Sequence, residues 1–246
     1  MRTRAIVDGT DYLVSGEKIW TSYAHQADWM FALVRTSTEG RRQAGISFLL
    51  IDMHSPGISV TPITTIDGRQ TLNRVTLDEV RVPQSNRLGD EGQGWTIAKG
   101  LLTHERTGLA FVAECGRLLR LLRAVLPDCP SRGDALLAAK VAEAEIDLMA
   151  LEVTELRTLA ETQAGSAPGP YSSVLKLLGS SLIQRITAFL VEAGGTASLA
   201  WSDDDAVGPP WLHEELRRYF IGRSATIAGG ASEVQKDIIA RHVLGL

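Results

Sequence analysis

The sequence predicts an α+β chain, an antiparallel β-barrel or sandwich domain followed by an α-helical bundle domain. Two observations carry this. Short apolar runs punctuated by Gly, Pro and Asp fill roughly the first ninety residues. Past the glycines at Gly89, Gly92 and Gly94 the apolar period becomes helical. The domain boundary is therefore expected at that joint, dividing residues 1–88 from residues 89–246.

In the first part, Tyr12-Leu13-Val14 leads into Ser15-Gly16, a turn signal, and on to Lys18-Ile19-Trp20. Further β-like runs cover 29–35, 46–52, 58–63 and 72–82, with no long helical stretch between them, which argues against a parallel α/β sheet. In the second part Ala98, Leu101, Leu102, Leu109, Val112 and Gly116 fall on one helical stripe. Long helices are expected over 132–163, ended by Gly and Pro at 165–170, and over 172–192, stopped at Gly194-Gly195. Shorter ones follow over 210–223 and 232–244. Three long helices with short links predict an antiparallel bundle closed by the shorter pair.

Composition narrows the function classes. A chain of 246 residues with 44% apolar content can bury one large core or two modest ones. A net charge of -4 with both signs interspersed leaves no basic footprint for nucleic acid. Cys115 and Cys129 stand in no CxxC or Cys/His cluster, and the five histidines lack metal-ligand spacing, so no metal is expected. The longest compact apolar run, 46–51, is far short of the ~20 residues of a membrane span. Only Ala5-Ile6-Val7 follows the basic start, too little for a secretory signal. A soluble chain in a reducing cytoplasm is expected.

Three places could carry chemistry. Glu105 lies four residues after Leu101 and four before Leu109, in the middle of an apolar stripe. Burial there would raise its pKa toward that of a base working near neutrality, whereas a stripe-edge glutamate would reach water or pair with Arg106. Trp20-Thr21-Ser22 ends a predicted strand, where an indole beside two hydroxyls suits a planar cofactor, or simply a buried Trp. Gly229-Gly230-Ala231-Ser232-Glu233 sets two glycines before a helix that Ser232 could cap. Free N–H groups at such an end suit an anion, although a capped helix after a turn is the commoner case. No GxGxxG follows a strand, and neither a P-loop nor a GxSxG is present.

Together these segments resemble the acyl-CoA dehydrogenase family over nearly the whole chain. The resemblance is carried by residues 14–22 (VSGEKIWTS), 45–52 (GISFLLID), 78–83 (DEVRVP), 92–95 (GQGW), 104–107 (HERT), 227–235 (IAGGASEVQ) and 238–241 (IIAR). It implies the family's middle β domain, incomplete at its N-terminus, and its C-terminal α-helical four-helix bundle, with FAD at a subunit interface. It further implies that a glutamate takes the α-proton of an acyl-CoA while the β-hydrogen leaves as hydride to flavin N5. The family places that base in one of two positions, which here are Gly229 and Glu105. The glutamate at 105 assigns this chain to the isovaleryl- and long-chain-like subgroup.

By the same resemblance Trp20, Thr21 and Ser22 contact the flavin, and Gly230, Ala231 and Glu233 bind cofactor. Gly229 donates its N–H to the thioester carbonyl, and Arg106 lines the substrate site or forms a structural ion pair. The expected partners are electron-transfer flavoprotein and further subunits, in a tetramer that is homo- or hetero-oligomeric. Two departures stand out. Residues 1–5 align inside the family's β domain, and the family's Arg-x-x-Phe-Gly is replaced by Arg123-Ala124-Val125-Leu126-Pro127. The second resembles subunits of heteromeric bacterial dehydrogenases acting on steroid-derived thioesters. The first favours a non-catalytic subunit that completes a partner's interface, whereas Glu105 favours a catalytic one.

Overall fold

Strand β1 (Arg4–Asp8) turns at Gly9, whose φ is +61°, into β2 (Asp11–Ser22), and the two pair antiparallel from Arg4↔Ser15 to Asp8↔Asp11. A positive φ at the second residue of so tight a hairpin is what glycine supplies without steric penalty. The computed structural model describes residues 1–107, 110–164, 169–200 and 207–246, the side chains of 103–107 excepted. It divides into two compact units, Met1–Leu101 and Leu102–Leu246.

The first unit holds β3 (Trp29–Arg35), β4 (Ile46–Asp52), β5 (Ile58–Ile63), β6 (Leu72–Pro83) and β7 (Arg87–Leu88) beside the first two strands. The sheet order is β5-β6-β2-β1-β3-β4-β7, and every named pairing is antiparallel except β1 with β3. Alternate residues face inward, as period two requires: Tyr12 and Val14 on β2, Met30, Ala32 and Val34 on β3, Val75, Leu77, Val80 and Val82 on β6. Although β4 and β6 lie far apart in the order, Leu49 and Ile51 share one core with the β6 valines, so the sheet curls around it.

Two expectations change here. Residues 4–8 form a strand that the sequence pattern left unassigned. Ser15-Gly16 is no turn, since β2 runs through it. The pairing of β2 with β6 steps from Val14↔Val80 to Gly16↔Leu77, a bulge carried by β6, where Glu79 has φ +50°. Gly16 is required for a different reason: a Cβ there would lie 2.6 Å from the Cα of Thr3.

Helix α1 (Gly94–Thr107) follows the glycine-rich joint, and the two compact units divide within it, between Leu101 and Leu102. The second unit continues with α2 (Val112–Val125), α3 (Ala135–Gln163), α4 (Tyr171–Gly194), α5 (Pro210–Ile221) and α6 (Ser232–Ile239). The stripe expected through Ala98 to Gly116 is not one helix face. Phe111, at φ +55°, precedes α2 in a left-handed conformation, and α2 buries Cys115, Leu118, Leu119 and Leu122 instead. Leu101 is 44% exposed.

Helix α3 starts three residues later than expected because Gly133, at φ +81°, cannot be helical, and the Asp134 carboxylate caps by accepting from the N–H groups of Leu136 and Leu137. Helix α4 is the centre of this unit. Leu175, Leu182, Ile183, Ile186, Phe189 and Leu190 pack with Leu137, Val141, Leu148 and Leu151 of α3 and the α2 leucines. Each fully buried leucine contributes about 1.5–3 kcal/mol. By length and composition the stretch Tyr171–Leu199 would also pass for a membrane span. Its burial among other helices, with a lysine in its midst, marks it as the core helix of a bundle.

Candidate functional site

In the first unit, β2 gains one residue against β6 between Lys18↔Val75 and Thr21↔Asn73. The extra residue is absorbed at Trp20, whose φ of +63° is sterically strained for a non-glycine residue. The bulge turns the indole outward, and Trp20 is 60% exposed. It borders a groove of about 520 Å³ lined by Lys18 to Ser22 of β2, Trp29 to Leu33 of β3, and Ala24, Ala27 and Met53. Trp29 and Phe31 are exposed beside it, and Phe31 stacks on buried Phe48 with ring centroids 5.3 Å apart. Open aromatic faces with a pair of hydroxyls at one end are what a planar heteroaromatic ring needs.

Two residues that sequence reasoning missed shape this rim. Asn73, fully buried, donates from Nδ2 to the Thr21 carbonyl at 3.1 Å, and its Oδ1 lies 3.2 Å from Nδ1 of His25. It fixes the strand end from behind. Lys18 Nζ donates to the carbonyl of Leu33 across the floor of the groove, and burial pushes its pKa down. An Asn on the inward-facing register of β6, in line with Val75 and Leu77, was the available signal for the first. The second depends on how β2 and β3 diverge, which no local pattern encodes.

In the second unit, Gly229 at φ +66° and Gly230 at φ +102° form the turn into α6. Ser232 does not cap that helix. Ala231 occupies the N-cap position without a side-chain bond, and the Ser232 hydroxyl, already inside the helix, donates to the Thr226 carbonyl at 3.3 Å. Gly230 and Ala231 are half-buried and Glu233 is exposed. Glu105 and Arg106 lie on α1 near its C-terminal end, and their side chains fall outside the described residues. Leu109, expected on the far side of Glu105, is likewise outside them. The predicted residues thus fall into one set in the first unit and another in the second.

Arg123, which stands where the resemblance leads one to expect a different motif, is ion-paired to Glu145 of α3. Burial pushes the Cys115 thiol up to about 12 and also raises Cys129, both free and buried. Among the described residues no group of His, Cys, Asp and Glu could hold a metal ion.

Residues 1–80 match the family described as acyl-CoA dehydrogenase, middle domain, and residues 92–244 match acyl-CoA dehydrogenase, C-terminal domain. A β unit followed by a helical one is the architecture of that family, and the chain belongs to the acyl-CoA dehydrogenases. Its relatives include the acyl-CoA dehydrogenase IpdE1 of Mycobacterium tuberculosis, 32% identical over 99% of this chain and 62% of that protein. Among solved structures, the ChsE4-ChsE5 complex from Mycobacterium tuberculosis matches at 31% identity and a TM-score of 0.84, over 100% of this chain and 64% of that one. The "Tcur3481-Tcur3483 steroid ACAD" matches at 26% identity and a TM-score of 0.89, over 100% and 64%. The chain therefore spans less than two thirds of the length of these relatives. The family consists of flavoprotein oxidoreductases, and its fold here is the expected α+β one.

Proposed function

We propose that this chain contributes the flavin and thioester site of an FAD-dependent acyl-CoA dehydrogenase. The observation that carries the reading is the strained bulge at Trp20, which holds an exposed indole beside Thr21 and Ser22 at the edge of a 520 Å³ aromatic groove. Backbone strain of this kind, costing about 1–3 kcal/mol, persists where a site over-determines it. The groove fits a planar ring system. Trp20, Thr21 and Ser22 would hold it there; in the second unit, Gly230, Ala231 and Glu233 are the proposed cofactor contacts.

Bound flavin supplies the hydride acceptor. The chain's own residues do the rest. Glu105 takes the α-proton of the acyl-CoA. Gly229 donates its N–H to the thioester carbonyl and stabilises the negative charge that develops there as the proton leaves. Arg106 binds substrate. Exposed Leu101, one helical turn before Glu105, would be covered by an apolar acyl chain, and the water so excluded raises the basicity of Glu105. The names of the ChsE4-ChsE5 and steroid relatives favour a bulky, steroid-derived thioester and a second dehydrogenase subunit, with electron-transfer flavoprotein receiving the electrons.

The test is flavin reduction by acyl-CoA in the assembled enzyme. Glu105→Gln keeps shape and hydrogen bonding yet cannot accept the proton, so bleaching is expected to slow by about 10²–10⁴-fold, with acyl-CoA binding retained. Equal bleaching rates in variant and wild type would leave a non-catalytic subunit as the better reading. The replaced Arg-x-x-Phe-Gly motif already favours that second reading, since Arg123 is held by Glu145 within its own bundle.

A further inference from the structure

The second unit buries a lysine that the proposed chemistry does not use. Lys176, on α4, is fully buried, and its Nζ donates to the carbonyl of Gly230 at 2.6 Å. Ser173, one turn earlier on α4, is buried as completely, and its Oγ has no hydrogen-bond partner among the described residues. Gln235 is also fully buried, and neither atom of its amide is partnered among the described residues. That amide lies directly against Gly230, for a Cβ on Gly230 would sit 2.2 Å from Gln235 Nε2. A buried ammonium and an unpartnered buried amide are both expensive. An apolar side chain at either position, 176 on α4 or 235 on α6, would fill the space without the penalty, so packing alone does not account for them.

What they share is the turn. Two glycines in succession give the backbone its greatest conformational freedom, so a turn of fixed geometry at Gly229-Gly230 needs an external anchor. The peptides are trans, and in a trans peptide the N–H points opposite to the C=O. Drawing the Gly230 carbonyl inward to Lys176 therefore turns the Ala231 N–H away from that ammonium. The first-turn N–H groups of α6 have no side-chain cap, and the buried cation polarises the peptide leading into them.

We propose that Lys176 is a positioning residue, which with Gln235 clamps the Gly229–Gly230 turn and so presents its backbone donors to the carbonyl of an acyl thioester. The assignment of the ligand rests on the function proposed above; the clamp itself does not.

The experiment compares wild type, Lys176→Met, Lys176→Arg and Gly230→Ala in the full chain, assembled with its partner subunit where one is required. Hydrogen exchange of the peptide covering 227–235 is followed beside that of α2 and α3. Affinity is measured for a saturated acyl-CoA and for the thioether analogue that lacks the carbonyl. Lys176→Met is expected to speed exchange at 229–231 at least tenfold, leaving α2 and α3 unchanged, and to weaken thioester binding about tenfold, the worth of a charge-assisted hydrogen bond, with thioether binding unaffected. Lys176→Arg should restore part of both effects. Gly230→Ala, which displaces the Gln235 amide and leaves the α4 core intact, should reproduce both effects even if Lys176→Met fails to fold. Unchanged exchange at the turn, or equal loss of thioester and thioether binding, overturns the proposal. If wild type binds neither compound, the substrate reading fails, and the exchange comparison alone decides whether Lys176 holds the turn.

Discussion

At the scale of single residues, Trp20 separates the demands of folding from those of binding. Its left-handed backbone stores strain, and its ring is mostly in solvent, so the ring adds little to the fold. Trp20→Gly is therefore expected to leave thermal stability unchanged or slightly raised, because relief of about 1–3 kcal/mol of strain offsets the loss of a strand side chain. The same change should weaken FAD binding at least tenfold, read by fluorescence titration, if the indole packs on the ring. A large drop in melting temperature would show the residue to be structural. Cys115 makes the opposite case. With its thiol held near 12 by burial and by the neighbouring Glu114, it is almost wholly protonated at neutral pH. Neither it nor Cys129 should react with iodoacetamide in the native protein, whereas both should react in urea. Labelling of native Cys115 at the rate of a free thiol would contradict the packing of α2.

At the scale of elements, α2 and α5 are joined by a charge network built on Glu114, Arg117, Glu215 and Arg218. Arg117 pairs with Glu114 at 3.0 Å and with Glu215 at 3.3 Å, and Arg218 pairs with Glu114 at 2.7 Å and with Glu215 at 3.0 Å. Only Glu215 is fully buried, and both arginines reach water. Glu215→Ala should therefore cost about 1–3 kcal/mol, less than a wholly buried pair, because the stranded guanidinium groups can be rehydrated. A urea midpoint within error of wild type would dismiss the network as a surface ornament. Glu114 adds a pH signature. Hydrogen bonds from Arg117, and then the charges of Arg218 and Arg117, hold its carboxyl below the usual 4.5. Its contribution is complete above the unfolded pKa and is lost as pH falls through the lower folded pKa, so Glu114→Gln should narrow the stability gap between neutral and acid pH.

The i,i+3 pairs within each helix lie in the sequence, but the links from Arg117 to Glu215 and from Arg218 to Glu114 were not legible, because they form only once α2 and α5 pack. Helix positions were legible where a cap or a breaker marks them. Pro210 opens α5 and Gly195 closes α4, but Ser232 misled, since a hydroxyl in a capping pattern found a carbonyl partner instead. The glycine turn and the Trp20 triplet could be read as motifs. The bulge that exposes Trp20, the Asn73 brace behind it and the lysine beneath the turn could not, because each depends on contacts distant in sequence.

At the scale of the whole molecule, α3 carries two apolar faces and buries only one. Leu137, Val141, Ala144, Leu148 and Leu151 face the bundle. Ile146, Met149, Val153 and Leu156 are each 59–66% exposed, and their spacing of three, four and three residues is that of a helix–helix seam. A contiguous exposed apolar stripe of that kind marks an interface. Its continuous α-helical frame and heptad spacing select another helix as the occupant, and the ChsE4-ChsE5 relative shows that members of this fold assemble in complexes. The chain is therefore expected to form an oligomer through α3, with a second copy or with another dehydrogenase subunit. Light scattering should report more than one chain per particle at micromolar concentration, alone or on addition of the partner. Val153→Glu and Met149→Glu place a charge on the seam and leave the buried face untouched, so each should weaken assembly at least tenfold, with circular dichroism and melting of the dissociated chain unchanged. If these variants assemble as wild type does, the seam faces solvent and the interface lies elsewhere. If wild type is a monomer under every pairing, α3 exposes its second apolar face for a different purpose, and the expectation of a shared site between subunits falls with it.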